Sequence, residues 1–269
     1  MNNDKINSLY QKFIADGYNI SLRECMGGYP NKIDCAWYHG NWMLFRYLGV
    51  VSNPYWHKKF YYEALKKICD LKKDSVLIAG TADFSMPLLC SEVGVNNINI
   101  CDICNTPLKI CNRVSEYLNL NWNTFTHDIC SELTLKYNVI INDAFLSRFQ
   151  NKEMPLRGIT NTLISGGYYI TTLKMGKMNR GGEIEDSVKR RFVEKVERRY
   201  NEHLDVLPEV PIKDIANEYV EKMSSFPVSG EKEVQELFEA VGLKILYLEK
   251  DTVEGEYDIS EYFRIISQK

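Results

Sequence analysis

From Asp74 to about Met175, short apolar runs alternate with stretches whose apolar residues recur at helical spacing. "SVLIAG" (75–80) and "NINIC" (97–101) read as buried strands, and "WNTFTHD" (122–128), "YNVIIND" (137–143) and "GGYYITTLK" (166–174) supply three more. Between them, Met86, Leu89 and Val93 share one helical face, and Leu108, Cys111, Val114 and Leu118 share another. A third helix is expected from about Glu153 to Leu163. Ser85 and Thr106 are the expected N-caps, Pro87 and Pro107 stand in first turns, and Gly94 is the expected stop. Five strands separated by helices predict parallel βαβ units in a doubly wound α/β sheet.

The flanks differ. Residues 1–73 read as helical segments rich in aromatics and are taken as a lid or substrate segment ahead of the sheet. Residues 74–269 are expected to form one sheet-centred domain, with a helical insertion at about 176–225. Within the insertion, 183–205 predicts a solvated helix with Glu185/Lys189, Asp186/Arg190 and Glu194/Arg198 at i,i+4. Near the end, "EVQELFEAVG" predicts a helix burying Val234, Leu237, Phe238 and Val241, stopped by Gly242. "LKILYLEKD" (243–251) and "EYFRIISQK" (261–269) then predict an antiparallel pair joined by a long loop.

Charge narrows the function. Against 33 Lys and Arg stand 36 Asp and Glu, net −3, so no broad field for nucleic acid is expected. No apolar run is long enough to span a bilayer, and "MNNDKINSLYQKF" lacks the pattern of a signal peptide. A cytoplasmic protein with a small-molecule substrate is expected, with no nucleic-acid or membrane partner; the oligomeric state is left open. Of eight scattered cysteines, Cys101 and Cys104 form a C-x-x-C, but no second pair follows at zinc spacing. A metal or redox role stays open for that pair, but small buried hydrophobes are the favoured reading, and no metal is expected.

In an open parallel sheet, ligands sit beyond the carboxyl ends of the strands. There the sequence sets Gly80-Thr81-Ala82-Asp83, then Asp102, Asp128 and Asp143, one acid for each of the first four strands. A carboxylate after the second strand suits the two hydroxyls of a ribose. The order "VLIAG … NICD … THDI … NVIINDAF … SGGYYITT" resembles the class I S-adenosylmethionine-dependent methyltransferases over about residues 74–175, and the final helix and strand pair fit their closing hairpin. The resemblance implies a Rossmann-like, mostly parallel seven-stranded sheet with the last strand antiparallel, and S-adenosylmethionine as cofactor. Gly80 would let the backbone approach the methionine part of the cofactor, with Thr81 and Ala82 in the same loop. Asp102, beside Ile103, would take the ribose; Asp128, beside Ile129, the adenine. Asp143, with Ala144 and Phe145, would lie near the sulfonium and orient the nucleophile or the cofactor's amino group.

The first loop departs from that pattern. Ile78 stands where the family usually has an acid, and Ala82 and Phe84 replace its second and third glycines. A wider loop is expected, with Asp83 or Ser85 as a polar contact. The missing glycines favour a sulfonium cofactor over a dinucleotide, whose pyrophosphate needs them. Trp37, Tyr38, Trp42 and Arg46 lie on adjoining helical rows and are the expected substrate lid; aromatic faces also attract a sulfonium. His39 and His57 are the candidate bases by segment. The reading is methyl transfer to a small molecule by in-line displacement. The alternative is a non-methylating use of the cofactor, in which the methionine chain cyclises or is transferred and methylthioadenosine is released.

Overall fold

The computed structural model describes residues 3–25, 35–176, 182–254 and 259–269. Its centre is a seven-stranded sheet of β1 (Ser75–Ala79), β2 (Asn97–Asp102), β3 (Trp122–Thr126), β4 (Tyr137–Ile141), β5 (Leu163–Met175), β6 (Lys244–Glu254) and β7 (Ile259–Gln268). The strand order is β3-β2-β1-β4-β5-β7-β6. β7 runs antiparallel to both its neighbours, and the other pairings are parallel. This is the expected mostly parallel sheet with an antiparallel last strand. The reversal of strand order falls between β1 and β4, where the connections leave in opposite directions and open a crevice.

Both faces of the central strands β1 and β4 are covered, so these two are almost continuously apolar, whereas β2 and β3 towards the edge keep exposed polar positions. Val76 and Ile78 of β1 point into one core, Leu77 and Ala79 into the other. The second core is closed by α6 (Glu153–Thr162) and α9 (Glu231–Glu239). The first is closed by α4 (Ser85–Val93) and α5 (Asn105–Leu118), and it does not end there. It continues through α1 (Asn3–Glu24), α2 (Ala36–Tyr47) and α3 (Lys58–Ile68) into α7 (Asp186–Asn201) and α8 (Ile212–Lys222). Tyr10, Phe45, Tyr61, Phe192 and Tyr219 belong to this single cluster. Phe192 stacks on Tyr219 with ring centroids 5.2 Å apart, and Phe45 meets Tyr219 edge-on at 4.9 Å.

Four local expectations change. Ser85 starts α4 from inside rather than capping it, and the Asp83 side chain accepts its backbone N–H at 2.7 Å. Thr106 likewise lies within α5; Cys104 holds the cap position, its sulfur accepting the Thr106 N–H at 3.5 Å. The charged helix is amphipathic rather than solvated all round, since Phe192, Val193, Val196 and Tyr200 of α7 are buried. Lys189 there donates to Glu221 of α8 at 2.9 Å. Gly94 and Gly242 take the left-handed conformations expected of helix stops. The two final strands are longer than expected, and most of the loop assigned between them becomes strand, with 255–258 outside the described residues.

Gly158 of α6 lets the helix close onto the loop after β3. A Cβ there would lie 1.6 Å from the Ile129 carbonyl oxygen, a backbone atom that cannot rotate away. Gly158→Ala should therefore destabilise the protein by more than the ~1 kcal/mol that alanine gains in helix propensity. Urea unfolding of the variant checks this; a midpoint at or above wild type would mean that α6 does not pack as described.

Candidate functional site

The ends of β1, β2, β4 and β5 open into one cavity of about 560 Å³, a size suited to a cofactor or small substrate. Gly80, Thr81, Ala82 and Asp83 line it after β1, Asp102 and Ile103 after β2, and Asn142, Asp143, Ala144 and Phe145 after β4. Trp37, Tyr38, Trp42 and Arg46 of α2 line the facing wall, with Glu183 and Glu185 ahead of α7 beside them. The segments expected to form the lid and the cofactor loop thus line one space. Tyr38 and Trp42 lie with ring centroids 4.5 Å apart, so the wall is a packed aromatic surface.

The first loop turns around an acid where glycines were expected. Asp83 is 1% exposed; its Oδ1 accepts the backbone N–H and the hydroxyl of Ser85. Tyr10 and the Ser85 hydroxyl are 2.6 Å apart, and Asn53 donates to Tyr10 at 3.2 Å. Ser85 is therefore not a cavity residue: it faces Tyr10 of α1, and its expected role as a cofactor contact is corrected. Phe84 turns the same way, packing on Tyr10 and Phe13 with centroids 5.1 and 6.3 Å away. It offers no obstruction to a ligand, because it points into the core. On the cavity side, Asp83 Oδ2 lies 3.4 Å from Arg46 Nε, with both side chains buried. The facing Asp83 carboxylate holds the Arg46 proton more tightly than usual against the opposing effect of burial.

Asp102 sits at the end of β2 with one backbone N–H on each oxygen, Thr81 at 3.1 Å and Cys104 at 2.8 Å. Lone pairs remain on both oxygens for further donors. Burial raises its carboxyl to about 6, against the opposing charge of His39 and those N–H groups. Asp143 is oriented from below. Its Oδ1 accepts the Thr172 hydroxyl at 2.8 Å and lies 2.9 Å from the Tyr61 hydroxyl, which is equally close to the Asn142 carbonyl. Burial and then the Asp143 carboxylate keep the Tyr61 hydroxyl protonated well above its usual range. Ala144 follows at φ +51, in the left-handed region that non-glycine residues avoid, its N–H on the Thr172 hydroxyl at 3.0 Å. That turn lays Phe145 against Gly80, where a Cβ would fall 2.3 Å from the ring. Gly80, at φ +74, is required first for this ring contact.

Other expected residues lie elsewhere. Asp128 is exposed and caps its own turn by accepting the Cys130 N–H at 2.9 Å, while Ile129 belongs to the second core; neither lines the cavity. The approach of α6 through Gly158 draws that loop down onto the sheet. His57 is also outside the cavity. It is buried against Tyr262, and its Nδ1 accepts from Arg264 at 3.4 Å. His39 does line the cavity, but its Nδ1 lies 3.5 Å from the Cys25 sulfur. The C-x-x-C is not a pair. Cys101 is buried in the second core, whereas Cys104 meets Cys25, Cys35 and His39, four residues whose ligand atoms all lie within 4.8 Å of one another. The expectation of cysteines acting as scattered hydrophobes fails for these three. Only the i,i+4 spacing of Cys35 and His39 on one helix could have signalled it in the sequence, whereas Tyr61, Thr172 and Tyr10 carried no signal beyond burial.

Two outcomes follow. Replacing Arg46 with Met should cost about 3–5 kcal/mol, because a buried carboxylate loses its partner. The double variant Arg46→Met/Asp83→Asn should recover part of that loss in urea unfolding, and additive losses would mean the pair is not coupled. Burial, reinforced by Arg264 against Asp143 and Asp251, holds the His57 pKa below its usual value. As pH falls below about 6.5 the unfolded chain gains a proton that the folded one does not, so His57 lowers stability there. The stability of wild type relative to His57→Gln should drop between pH 8 and pH 5; a constant difference would contradict the assignment.

No family model and no curated protein matches the chain. Solved structures do. A magnesium protoporphyrin IX methyltransferase from Synechocystis PCC 6803, with bound SAH, is similar over 96% of this chain and 96% of its own, at 12% identity and a TM-score of 0.54. A SAM-dependent methyltransferase from Methanosarcina mazei is similar over 77% of this chain and 96% of its own, at 15% identity and a TM-score of 0.53. The cyclase SpnF is similar over 78% and 80%, at 10% identity and a TM-score of 0.51. At such identities the likeness is one of fold, and with the strand order and the reversed β7 it establishes that this chain has the class I S-adenosylmethionine-dependent methyltransferase fold.

Proposed function

We propose that the chain is an S-adenosylmethionine-dependent transferase that moves a methyl group to a small molecule. The observation that carries this reading is Asp102. Its carboxylate stands at the end of β2 on the cavity wall, fixed by the N–H groups of Thr81 and Cys104, with acceptor capacity left for two ribose hydroxyls. S-adenosylmethionine would supply an activated methyl on a sulfonium, and the chain's part is to bind, orient and exclude water. Gly80, Thr81, Ala82 and Asp83 would border the methionine end, and Ile103 would lie beside the ribose.

Two buried groups point to an acidic ligand group at that end. Arg46 Nη1 and Trp42 Nε1 are donors without a hydrogen-bond acceptor among the described residues, and both side chains line the cavity. A buried donor left so costs about 1–3 kcal/mol, which the carboxylate of the methionine moiety would relieve. Asp143, held by Tyr61 and Thr172, would accept a proton-bearing group of the nucleophile or the cofactor's amino group. Trp37, Tyr38 and Trp42 would face the sulfonium, an attraction worth roughly 0.5–2 kcal/mol, and keep water from the reacting atoms.

The first test is incubation of the protein with S-adenosylmethionine alone, followed by mass spectrometry. An intact cofactor and a raised melting temperature are expected, which is the behaviour of a transferase awaiting its acceptor. Methylthioadenosine would overturn methyl transfer and make the methionine chain the substrate. In calorimetry, Asp102→Asn should weaken S-adenosylmethionine binding by at least about tenfold, since hydrogen bonds to a charged group are worth about 1.5–3 kcal/mol. An unchanged dissociation constant would refute the ribose assignment.

A further inference from the structure

Beside the cavity, three elements far apart in sequence bring together the one cluster of soft ligands found among the described residues. Cys25 follows the end of α1, Cys35 caps the start of α2, His39 lies one turn into α2, and Cys104 caps α5 directly after β2. The Cys25 and Cys104 sulfurs are 3.7 Å apart, as are those of Cys35 and Cys104, and the Cys25 sulfur is 3.5 Å from His39 Nδ1. All three cysteines are free thiols.

Those distances have a simple origin. Around a tetrahedral ion with metal–sulfur bonds of about 2.3 Å and a metal–nitrogen bond of about 2.05 Å, the edges measure about 3.75 Å between sulfurs and about 3.55 Å between sulfur and nitrogen. Chance packing can bring two sulfurs into contact. It does not account for three sulfurs and an imidazole nitrogen all within 4.8 Å of one another, with three of the six separations at the edge lengths of such a tetrahedron. Donors to the sulfurs are in place as well. The Thr106 hydroxyl lies 3.0 Å from the Cys25 sulfur, and its backbone N–H points at the Cys104 sulfur at 3.5 Å. Such contacts stabilise metal-bound thiolates.

The geometry points to a structural zinc site formed by Cys25, Cys35, His39 and Cys104. Thiolate and imidazole ligands in tetrahedral array favour zinc over magnesium or calcium. Four protein ligands close the coordination sphere, so the ion holds structure and leaves no position for a substrate. Binding releases the protons held by the thiols and by the His39 imidazolium, leaving thiolates and a neutral imidazole as the ligands. The site would tie the aromatic wall of α2 to the end of β2, two residues from Asp102. It does not depend on which reaction the cavity performs.

The test uses the whole untagged chain, purified with reductant and added zinc and then desalted. Elemental analysis should find about one zinc per chain, and Cys35→Ser and Cys104→Ser should each reduce that at least about fivefold. Cys69→Ser and Cys130→Ser, outside the cluster, should keep it. With cobalt in place of zinc, the wild type should show the thiolate charge-transfer and visible bands of a tetrahedral site. If the serine variants do not fold, wild type still decides: a strong chelator should lower its melting temperature and added zinc should restore it. Folded wild type without stoichiometric metal, zinc retained in both cluster variants, or a melting temperature indifferent to chelator and zinc would each overturn the assignment.

Discussion

A buried ion pair, Arg46 on Asp83, fixes the relation between the helical wall and the sheet. Neither charge can be left alone in that position, because an unpaired buried ion costs several kcal/mol. The first loop must therefore keep its acid facing α2, and α2 must keep its arginine over the loop. The other Asp83 oxygen extends the constraint through Ser85 and Tyr10 to Asn53. A loop that in its fold class gains its close turns from glycine is here shaped by a hydrogen-bonded carboxylate. Its conformation is thus a property of α1 and α2 as much as of its own residues.

The same economy governs the other side of the crevice. Ala144 is held in a left-handed conformation by its bond to Thr172, and the strain is repaid by what it positions. It turns Asp143 towards the cavity and sets Phe145 on Gly80. The two loops that border the cavity are thereby packed against each other.

The aromatic segment is not a detached flap. Phe45 of α2 meets Phe192 of α7 and Tyr219 of α8, and all three belong to the core that begins on β1. Trp37 and Tyr38, neighbours in sequence, remain half-buried against the same cluster and line the cavity. One helix face therefore serves as core and its margin as cavity wall, a division that follows from the ~100° between successive side chains. The thiols and imidazole at the start of α2 lie at the end of that wall nearest β2.

Much of this architecture was legible in the chain. The strands of the sheet follow from short runs of apolar and β-branched residues bounded by turns, and the acids after β2 and β4 fall at the strand ends. Periodicity is a local property, and each strand carries it independently. The sequence also marked the aromatic face of α2 and the irregularity of the first loop. It did not reveal that Phe84 points inward, that Ser85 serves Tyr10, that Asp128 and His57 lie outside the cavity, or that Tyr61 supports Asp143. Nor could it bring Cys25 to Cys104. These are contacts between residues separated by tens of positions, set by which helix face meets which strand end, and no local pattern encodes them. The sequence by itself determined the elements and their order; only the packing of the helices on the sheet, α1, α2 and α3 on one face and α6 on the other, decided which polar groups face the cavity and which do not.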